Sequence, residues 1–279
     1  MRYAALCVVL CALTISSGAW AQTVTVDTAM RGNTLIADPG IAGAWTNNPA
    51  GLASLAGLQT SQEPLNGWRH AVSATAELNN NSDLVCLDWG GVQVGKNLGM
   101  GAGYLTNRAG SVFGFGIGKS WPDKGISWGV NWRNVSPDDG DSNNIFDAGV
   151  LGQLPVMPLT GKTVVKYGVV VRDITDEFGR LFDAGLAFDV PQGVHIAVDL
   201  ADVTGEFDRT LRVGATKDFG AQHNWKVGVG EDNGDLTLGA LYDSGTNWQK
   251  GSWRFGAAWQ QMDVGGDSIV VGAFGTWGL

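Results

Sequence analysis

The strongest constraint on the fold is the alternation of residue types along residues 124–134. Apolar side chains occupy every second position there (Ile126, Trp128, Val130 and Trp132), and polar residues or glycines lie between them. Because side chains alternate across a β-strand, this pattern predicts a strand with one apolar and one polar, glycine-rich face. Two environments suit such a strand: the core of a water-soluble β-protein, or the wall of a transmembrane barrel, which turns the apolar face to lipid.

The same pattern recurs along most of the chain, which predicts an all-β fold. We predict fourteen strands, although the pattern leaves the number open between 12 and 14. Their lengths are close to the ~9–11 residues with which a tilted strand crosses a bilayer. The predicted strands are 68–78, 83–90, 96–106, 111–121, 124–134, 144–154, 163–173, 180–190, 193–203, 209–219, 224–232, 235–243, 251–262 and 268–279. Long helical patterns that could cover a soluble sheet are missing from the sequence, which favours a transmembrane antiparallel up-and-down barrel over a secreted β-sandwich or β-helix.

Charged residues on the polar faces support the barrel. They carry both signs, so they could neutralise one another in a lumen, whereas the same charges would be very unfavourable in a soluble core. The residues predicted to line the lumen are Arg133, Lys166, Arg172, Asp183, Asp189, His195, Asp199, Arg212, Lys226 and Arg254. Tryptophans predicted near strand ends fit the aromatic girdles of membrane interfaces.

The connections between predicted strands fall into two alternating sets. One set is acidic and includes residues 138–141, 173–177 and 231–235; the other is neutral or slightly basic and includes residues 122–125 and 191–193. Successive turns of a meander lie on opposite rims, so this alternation predicts one acidic and one neutral rim. Barrels of this type keep both termini in the periplasm, which predicts that the acidic rim faces outward.

Glycines recur near the middle of the polar faces. Two explanations remain open: glycines that allow bending at barrel corners, or a flat inner wall against which another segment packs closely. The glycines are Gly101, Gly116, Gly129, Gly149, Gly168, Gly185, Gly214, Gly228, Gly239, Gly256 and Gly272.

The N-terminus predicts export. Arg2 precedes an apolar run from Leu6 to Ile15, and Ala19-Trp20-Ala21 resembles a signal-peptidase site. We therefore predict three parts: a signal peptide (1–21), an N-terminal hatch or plug (22–66) and an outer-membrane barrel (67–279). Only Cys86 would remain in the mature chain, so an internal disulfide is excluded. The net charge of −9 argues against nucleic acid as a partner.

The predicted hatch contains the string Asn48-Pro49-Ala50-Gly51-Leu52-Ala53. Asn48 can cap a helix that has Pro49 in its first position and runs through residues 50–56. This string, near the predicted mature N-terminus, resembles the hatch motif of FadL-type outer-membrane proteins, which include hydrophobic-compound channels and the related PorV/PorQ proteins. The resemblance implies a fourteen-stranded barrel with residues 48–53 as its gate. The short outer connections and the terminal Leu279 depart from the family pattern.

The sequence contains no recognisable catalytic motif. His70, His195 and His223 are scattered without metal-ligand spacing, and no nucleophile elbow occurs. We therefore expect no enzyme activity, metal or cofactor. The predicted function is passive uptake of small hydrophobic molecules through a hatch-gated lumen in the outer membrane. The alternative is a non-transporting, PorV-like barrel, whose partner would be a secretion-system or surface protein; in both cases outer-membrane lipid surrounds the chain.

Overall fold

Every strand hydrogen-bonds to its sequence neighbours in an antiparallel meander, and the first strand pairs with the last. The computed structural model thus contains a closed barrel of 14 strands. It describes residues 26–31, 33–39, 43–54, 67–78, 83–138, 140–154, 163–205, 209–219, 225–232, 234–244, 252–261 and 267–278. The predicted signal peptide, the end of the predicted hatch helix and several turns lie outside the described residues.

The barrel strands are numbered in chain order. They are β1 (Gly67–Leu78), β2 (Asp83–Val94), β3 (Leu98–Asn107), β4 (Gly110–Trp121), β5 (Ile126–Pro137), β6 (Asn143–Leu154), β7 (Val164–Arg172), β8 (Leu181–Val190), β9 (Val194–Ala201), β10 (Thr210–Asp218), β11 (Trp225–Asp232), β12 (Asp235–Asp243), β13 (Ser252–Gln260) and β14 (Ser268–Gly278). The predicted all-β barrel of about fourteen strands is confirmed. The largest difference is β2, which runs four residues beyond the predicted end at residue 90.

The two faces of the strands have opposite environments. On β5, Val130 is 38% exposed, whereas Arg133 on the other face is fully buried. On β4, Phe115 is 52% exposed and alternates with the inward-facing Gly114 and Gly116. The predicted alternation is therefore observed: the apolar side chains cover the exterior, and the glycines and charges face inward.

The meander places alternate connections on opposite rims. We call the end that carries the β5–β6, β7–β8 and β9–β10 connections the acidic rim, and the end that carries the β4–β5 and β8–β9 connections the neutral rim. Aromatic pairs occupy the exterior near both rims: Trp225 and Tyr242 have ring centroids 5.2 Å apart near the neutral rim, and Phe113 and Trp132 have centroids 6.1 Å apart towards the acidic rim.

Residues 26–31, 33–39 and 43–54 lie inside the barrel, and we call them the plug. Three single helical turns occur in the plug: α1 (Val26–Ala29), α2 (Ala44–Asn47) and α3 (Gly51–Ser54). Contacts of α1 are with β12, β13 and β14, and those of α3 are with β2 to β5. Among the described residues, no helix is long and apolar enough to cross a membrane, a finding that does not bear on crossing by strands.

Candidate functional site: the plug in the lumen

The plug follows the inner wall from strand to strand. Val26 approaches Gly272 on β14, Met30 approaches Gly239 on β12, and Arg31 approaches Gly214 on β10. Further along the plug, the contacts continue around the barrel. Ile36 lies against β7 and β8, Asn48 against β6, Pro49 against β5, and Leu52 against β3 and β4. The plug thus contacts most of the circumference of the wall.

The inward glycines create the space for this contact. A Cβ atom at Gly129 would lie 2.2 Å from the carbonyl oxygen of Pro49, and one at Gly168 would lie 2.1 Å from that of Ile36. Similar clashes occur at Gly149 with Asn48 and at Gly214 with Arg31. Of the two explanations left open by the sequence, close packing of a plug therefore holds for most of the predicted glycines. Gly256 is an exception, because its Cβ would meet barrel atoms of Ala240 and Leu241.

Asn48 fixes the turn that leads into α3. Its side-chain oxygen accepts a hydrogen bond from the backbone N–H of Ala50 (3.1 Å), which is the predicted capping contact. Its side-chain amide donates to the carbonyl of Ile36 (2.8 Å) within the plug and to that of Val150 on β6 (3.3 Å). A single asparagine therefore joins two parts of the plug to the wall.

Charged and amide side chains of the wall hold the backbone of the plug. Arg172 on β7 donates to the carbonyls of Thr46 (2.7 Å) and Asn47 (3.0 Å). Asp199 on β9 accepts hydrogen bonds from the backbone N–H groups of Leu35 and Ile36, the latter at 2.8 Å. These contacts give hydrogen-bond partners to four buried backbone groups of the plug, in residues 35, 36, 46 and 47, as burial away from water requires.

Wall charges near the acidic rim pair with each other. Arg133 on β5 lies 2.8 Å from Asp147 on β6, and Arg172 lies 2.5 Å from Asp183 on β8; these four side chains are at most 2% exposed. Arg212 and Asp232, on β10 and β11, are 2.8 Å apart. Removal of one partner from either of the two fully buried pairs would strongly destabilise the protein, because it leaves the other charge buried without a partner.

Charges near the neutral rim pair with the plug. Lys226 on β11 binds Asp27 at 2.6 Å, and Lys166 on β7 lies 3.5 Å from Asp38. Burial would raise the pKa of Asp27 and of Asp38, but the positive charges of Lys226, Lys166 and Arg31 outweigh burial and hold both pKa values well below their usual range. Both plug carboxylates are therefore charged at neutral pH.

An apolar cluster separates the plug from the acidic rim. Trp45 of α2 is fully buried against inward-facing apolar residues of β2 to β6, and Phe178 of the β7–β8 connection packs against the same cluster. The indole N–H of Trp45 donates to Asp88 on β2 (2.6 Å). The wall residues of this cluster are Leu84, Cys86, Leu105, Val112, Val135 and Ile145.

The predicted lumen residues all contact the plug or another inward group. Arg172, Asp199 and Lys226 bind the plug directly. The remaining predicted residues are found in inward contacts: Arg133, Asp183 and Arg212 in wall pairs; Arg254 with Asp243 (2.7 Å); and Lys166, Asp189 and His195 in one cluster. Of the predicted gate, Asn48, Pro49, Ala50, Gly51, Leu52 and Ala53 are all buried. Their role as a gate stays a prediction.

Several important residues were not predicted from the sequence. Asp147 and the plug residues Arg31, Asp38 and Trp45 are the main ones. A signal for Asp147 was present, because Phe146-Asp147-Ala148-Gly149 repeats as Phe182-Asp183-Ala184-Gly185. The two copies have the same geometry: Asp147 accepts from the N–H of Asp173 (2.9 Å), and Asp183 from that of Asp202 (3.0 Å). Within the described part of the chain, no group of three or more His, Cys, Asp or Glu residues is arranged to hold a metal ion.

The fold and the site define a class: closed fourteen-stranded antiparallel barrels with an N-terminal segment packed in the lumen. The toluene transporter TbuX of Ralstonia pickettii is similar to the chain with a TM-score of 0.56 and 11% identity, over 91% of this chain and 97% of TbuX. The Pseudomonas putida toluene transporter TodX gives a TM-score of 0.49 at 10% identity, over 92% of this chain and 98% of TodX. Both belong to the FadL family of hydrocarbon transporters. The likeness to TbuX confirms the resemblance inferred from the hatch motif at the level of the fold. No protein-family model matches the sequence, and neither does any curated protein.

Proposed function

We propose that the chain is an outer-membrane channel for small hydrophobic molecules, with the plug as its gate. The observation that carries this proposal is the apolar cluster around Trp45. The inner wall between the plug and the acidic rim is lined there by aliphatic side chains, although lumen faces of barrels are commonly polar. The fold likeness to TbuX, a toluene transporter, supports the same ligand class.

The exterior of the barrel supports a membrane location. Apolar side chains are exposed on strand after strand, including Phe113, Phe115, Leu186 and Phe255. Exposed apolar surface of this extent on a closed barrel fits a hydrocarbon environment. Together with the predicted signal peptide, this exterior supports an outer-membrane location for the proposed channel. The periplasmic termini expected of such barrels predict that the acidic rim faces outward.

A flux measurement tests the proposal. Proteoliposomes that contain the full mature chain are compared with proteoliposomes that contain a variant lacking residues 22–58, and the entry of toluene is followed. We expect faster entry than into protein-free vesicles, and faster entry still after deletion of the plug. A Trp45→Ala variant, which shortens the side chain at the base of the apolar cluster, provides a smaller perturbation of the same site.

The alternative, a scaffold or a partner of a secretion system, predicts a different result. Such a barrel would show background flux for the full chain and for Trp45→Ala, together with specific retention of a protein partner on the acidic rim. Background flux through the plug-deleted barrel, shown to be folded by its heat-dependent gel mobility, would overturn the channel proposal.

A further inference from the structure

Five titratable or charged side chains meet where the plug reaches the neutral rim. Two come from the plug, and β7, β8 and β9 contribute one each. We call this group the rim cluster, and its members are Arg31, Asp38, Lys166, Asp189 and His195. The distances are short: Arg31 to Asp38 is 3.0 Å, Lys166 to Asp189 is 2.9 Å, and His195 Nδ1 to Asp189 is 2.6 Å.

The contacts of His195 fit its neutral form. Its Nε2 atom lies 3.1 Å from Nη1 of Arg31. A guanidinium can only donate, so Nε2 must act as an acceptor and carry no proton. The proton of the neutral ring is then on Nδ1, which donates to Asp189. The uncharged imidazole of His195 is thus one of the acceptors that bind the guanidinium of Arg31 and hold this plug residue against the wall.

Protonation of His195 removes that acceptor. The new N–H on Nε2 would point at the guanidinium of Arg31, and two positive groups would face each other at about the present 3.1 Å. The imidazolium would also compete for Asp38, whose Oδ2 lies 3.4 Å from Nε2 and already serves Arg31. Lys166 is a third positive charge on the same carboxylate.

The other groups around His195 do not cancel this effect. Asp189 already accepts from the neutral ring, and Asp27 is engaged by Lys226 and Arg31. Asp199, four residues along β9, holds the backbone of Leu35 and Ile36, and the β10 residue paired with His195 is the uncharged Thr216. The pKa of Asp38 is held well below its usual range by Lys166 and Arg31 against the opposing effect of burial, so this carboxylate keeps its charge in mild acid.

Solvent reaches the rim cluster but not the second half of the plug. Side chains of Asp38, Lys166 and Asp189 are 34%, 31% and 40% exposed. By contrast, Arg172, which holds residues 46 and 47, is 1% exposed, and its partner Asp183 is 2% exposed. Protons can therefore reach His195, which is 12% exposed, whereas the wall contacts of residues 46 and 47 lie away from solvent. The hydrogen bond from Asn48 to the carbonyl of Ile36 joins the two parts and must break if the first part leaves alone.

We propose that the plug is held in two separately released parts, and that protonation of His195 releases the first part, residues 26–39, while residues 43–54 stay seated. The neutral rim would then open in mild acid while the apolar cluster at Trp45 stays closed. This proposal concerns the movement of the plug and does not depend on what, if anything, the lumen conducts.

Single-cysteine labelling of the full mature chain in detergent tests the proposal. Cys86 is replaced by alanine, and reporters are placed at Ala37 and Ala53, which are 3% and 0% exposed. The exposed Ser142→Cys serves as the reference for intrinsic reactivity. 4,4′-Dithiodipyridine, which reacts in mild acid, is the probe. When the pH falls from about 7.5 to about 5.5, we expect the relative rate at position 37 to rise about tenfold or more, and the rate at position 53 to change less than about twofold.

Three variants make the test specific. His195→Gln keeps an acceptor for Arg31 without titrating, so the rise at position 37 should disappear. Arg31→Gln removes the guanidinium, so position 37 should be accessible already at about pH 7.5. Asp199→Asn removes the other titratable group of β9 but keeps one oxygen as acceptor for the backbone N–H groups of Leu35 and Ile36, so position 37 should stay protected at about pH 7.5 and its pH dependence should remain. A rise that survives His195→Gln, a parallel rise at position 53, loss of the rise in Asp199→Asn, or a protected position 37 in Arg31→Gln would each overturn the proposal.

Discussion

Replacement of Gly129 by alanine tests whether the glycines of the wall exist for the plug. The added Cβ would lie 2.2 Å from the carbonyl oxygen and 2.3 Å from the carbonyl carbon of Pro49, more than an ångström inside ordinary contact. Both atoms are backbone and cannot rotate away, so the plug itself must move. Overpacking of this kind costs about 1–3 kcal/mol. In the middle of a strand without a neighbour, alanine would instead stabilise by roughly 0.5–1 kcal/mol relative to glycine.

The opposite signs of these two effects make a double-mutant cycle decisive. With the plug present, we expect Gly129→Ala to raise the labelling rate at Ala53→Cys about thirtyfold, as a loss of about 2 kcal/mol implies. In the barrel that lacks residues 22–58, the same substitution should leave urea unfolding unchanged or make the barrel slightly more stable. Equal destabilisation in both backgrounds, or unchanged labelling at position 53, would refute the packing argument.

Gly256→Ala is the matched control for this cycle. Its Cβ would meet the carbonyl oxygen of Ala240 at 2.4 Å and a methyl of Leu241 at 2.6 Å, and both belong to the barrel. The substitution should therefore destabilise the barrel equally with and without the plug. A plug-dependent effect at Gly256 would mean that the cycle reports general loosening of the wall.

Two further predictions concern the charges that hold the plug. Arg172→Gln should loosen residues 43–54 and lower the urea midpoint by the equivalent of about 3–5 kcal/mol, because it leaves Asp183 buried without its cation; labelling at Ala53→Cys and urea unfolding measure the two effects. Asp27→Asn should lower stability by at most about 1 kcal/mol, because the pair with Lys226 is partly exposed. Since the pKa of Asp27 is depressed by Lys226 and Arg31 against the effect of burial, the stabilisation by this pair is present above the usual aspartate pKa and is lost only as the pH falls through the depressed value. In the His195→Gln background, where residues 26–39 are expected to stay seated in mild acid, the difference in urea midpoint between Asp27→Asn and its parent should thus stay constant from about pH 6 to about pH 8.

The wall of the barrel was predictable because each strand can be recognised from the residue pattern of its own short segment. A period of two assigns each residue to a face without knowledge of any partner, and turn chemistry marks the strand ends. The same local logic failed at β2. The predicted strand ended at residue 90, but Gly91 lies opposite His70 on β1, and its Cβ would come within 3.2 Å of the imidazole. Gly91 accommodates the side chain of His70 on the neighbouring strand β1 and does not end β2.

The path of the plug could not be predicted from its own sequence. Its helical turns are four residues long, and residues 33–39 show no periodicity. What holds the plug is contact between its backbone and residues far along the chain, such as Arg172 with the carbonyl of Thr46, 126 residues apart. Backbone carbonyls are identical in every residue, so no pattern of side chains identifies which of them Arg172 will bind. In the sequence, the recurring glycines of the wall indicated that another segment could pack closely against it, but they did not indicate the path of that segment.

The distribution of the lumen charges decides whether a plug-deleted barrel is a fair test of gating. Among the described residues, four arginine–aspartate pairs join neighbouring strands of the wall: Arg133–Asp147, Arg172–Asp183, Arg212–Asp232 and Arg254–Asp243. Lys166 keeps Asp189 when Asp38 is removed. Arg172, Lys226 and Asp199 also lose plug contacts, and water can replace these contacts because it solvates charged side chains well. Because the strand pairing and most ion pairs lie within residues 67–278, the barrel should close without its plug, and flux through the deleted variant would report on the gate and not on a collapsed fold.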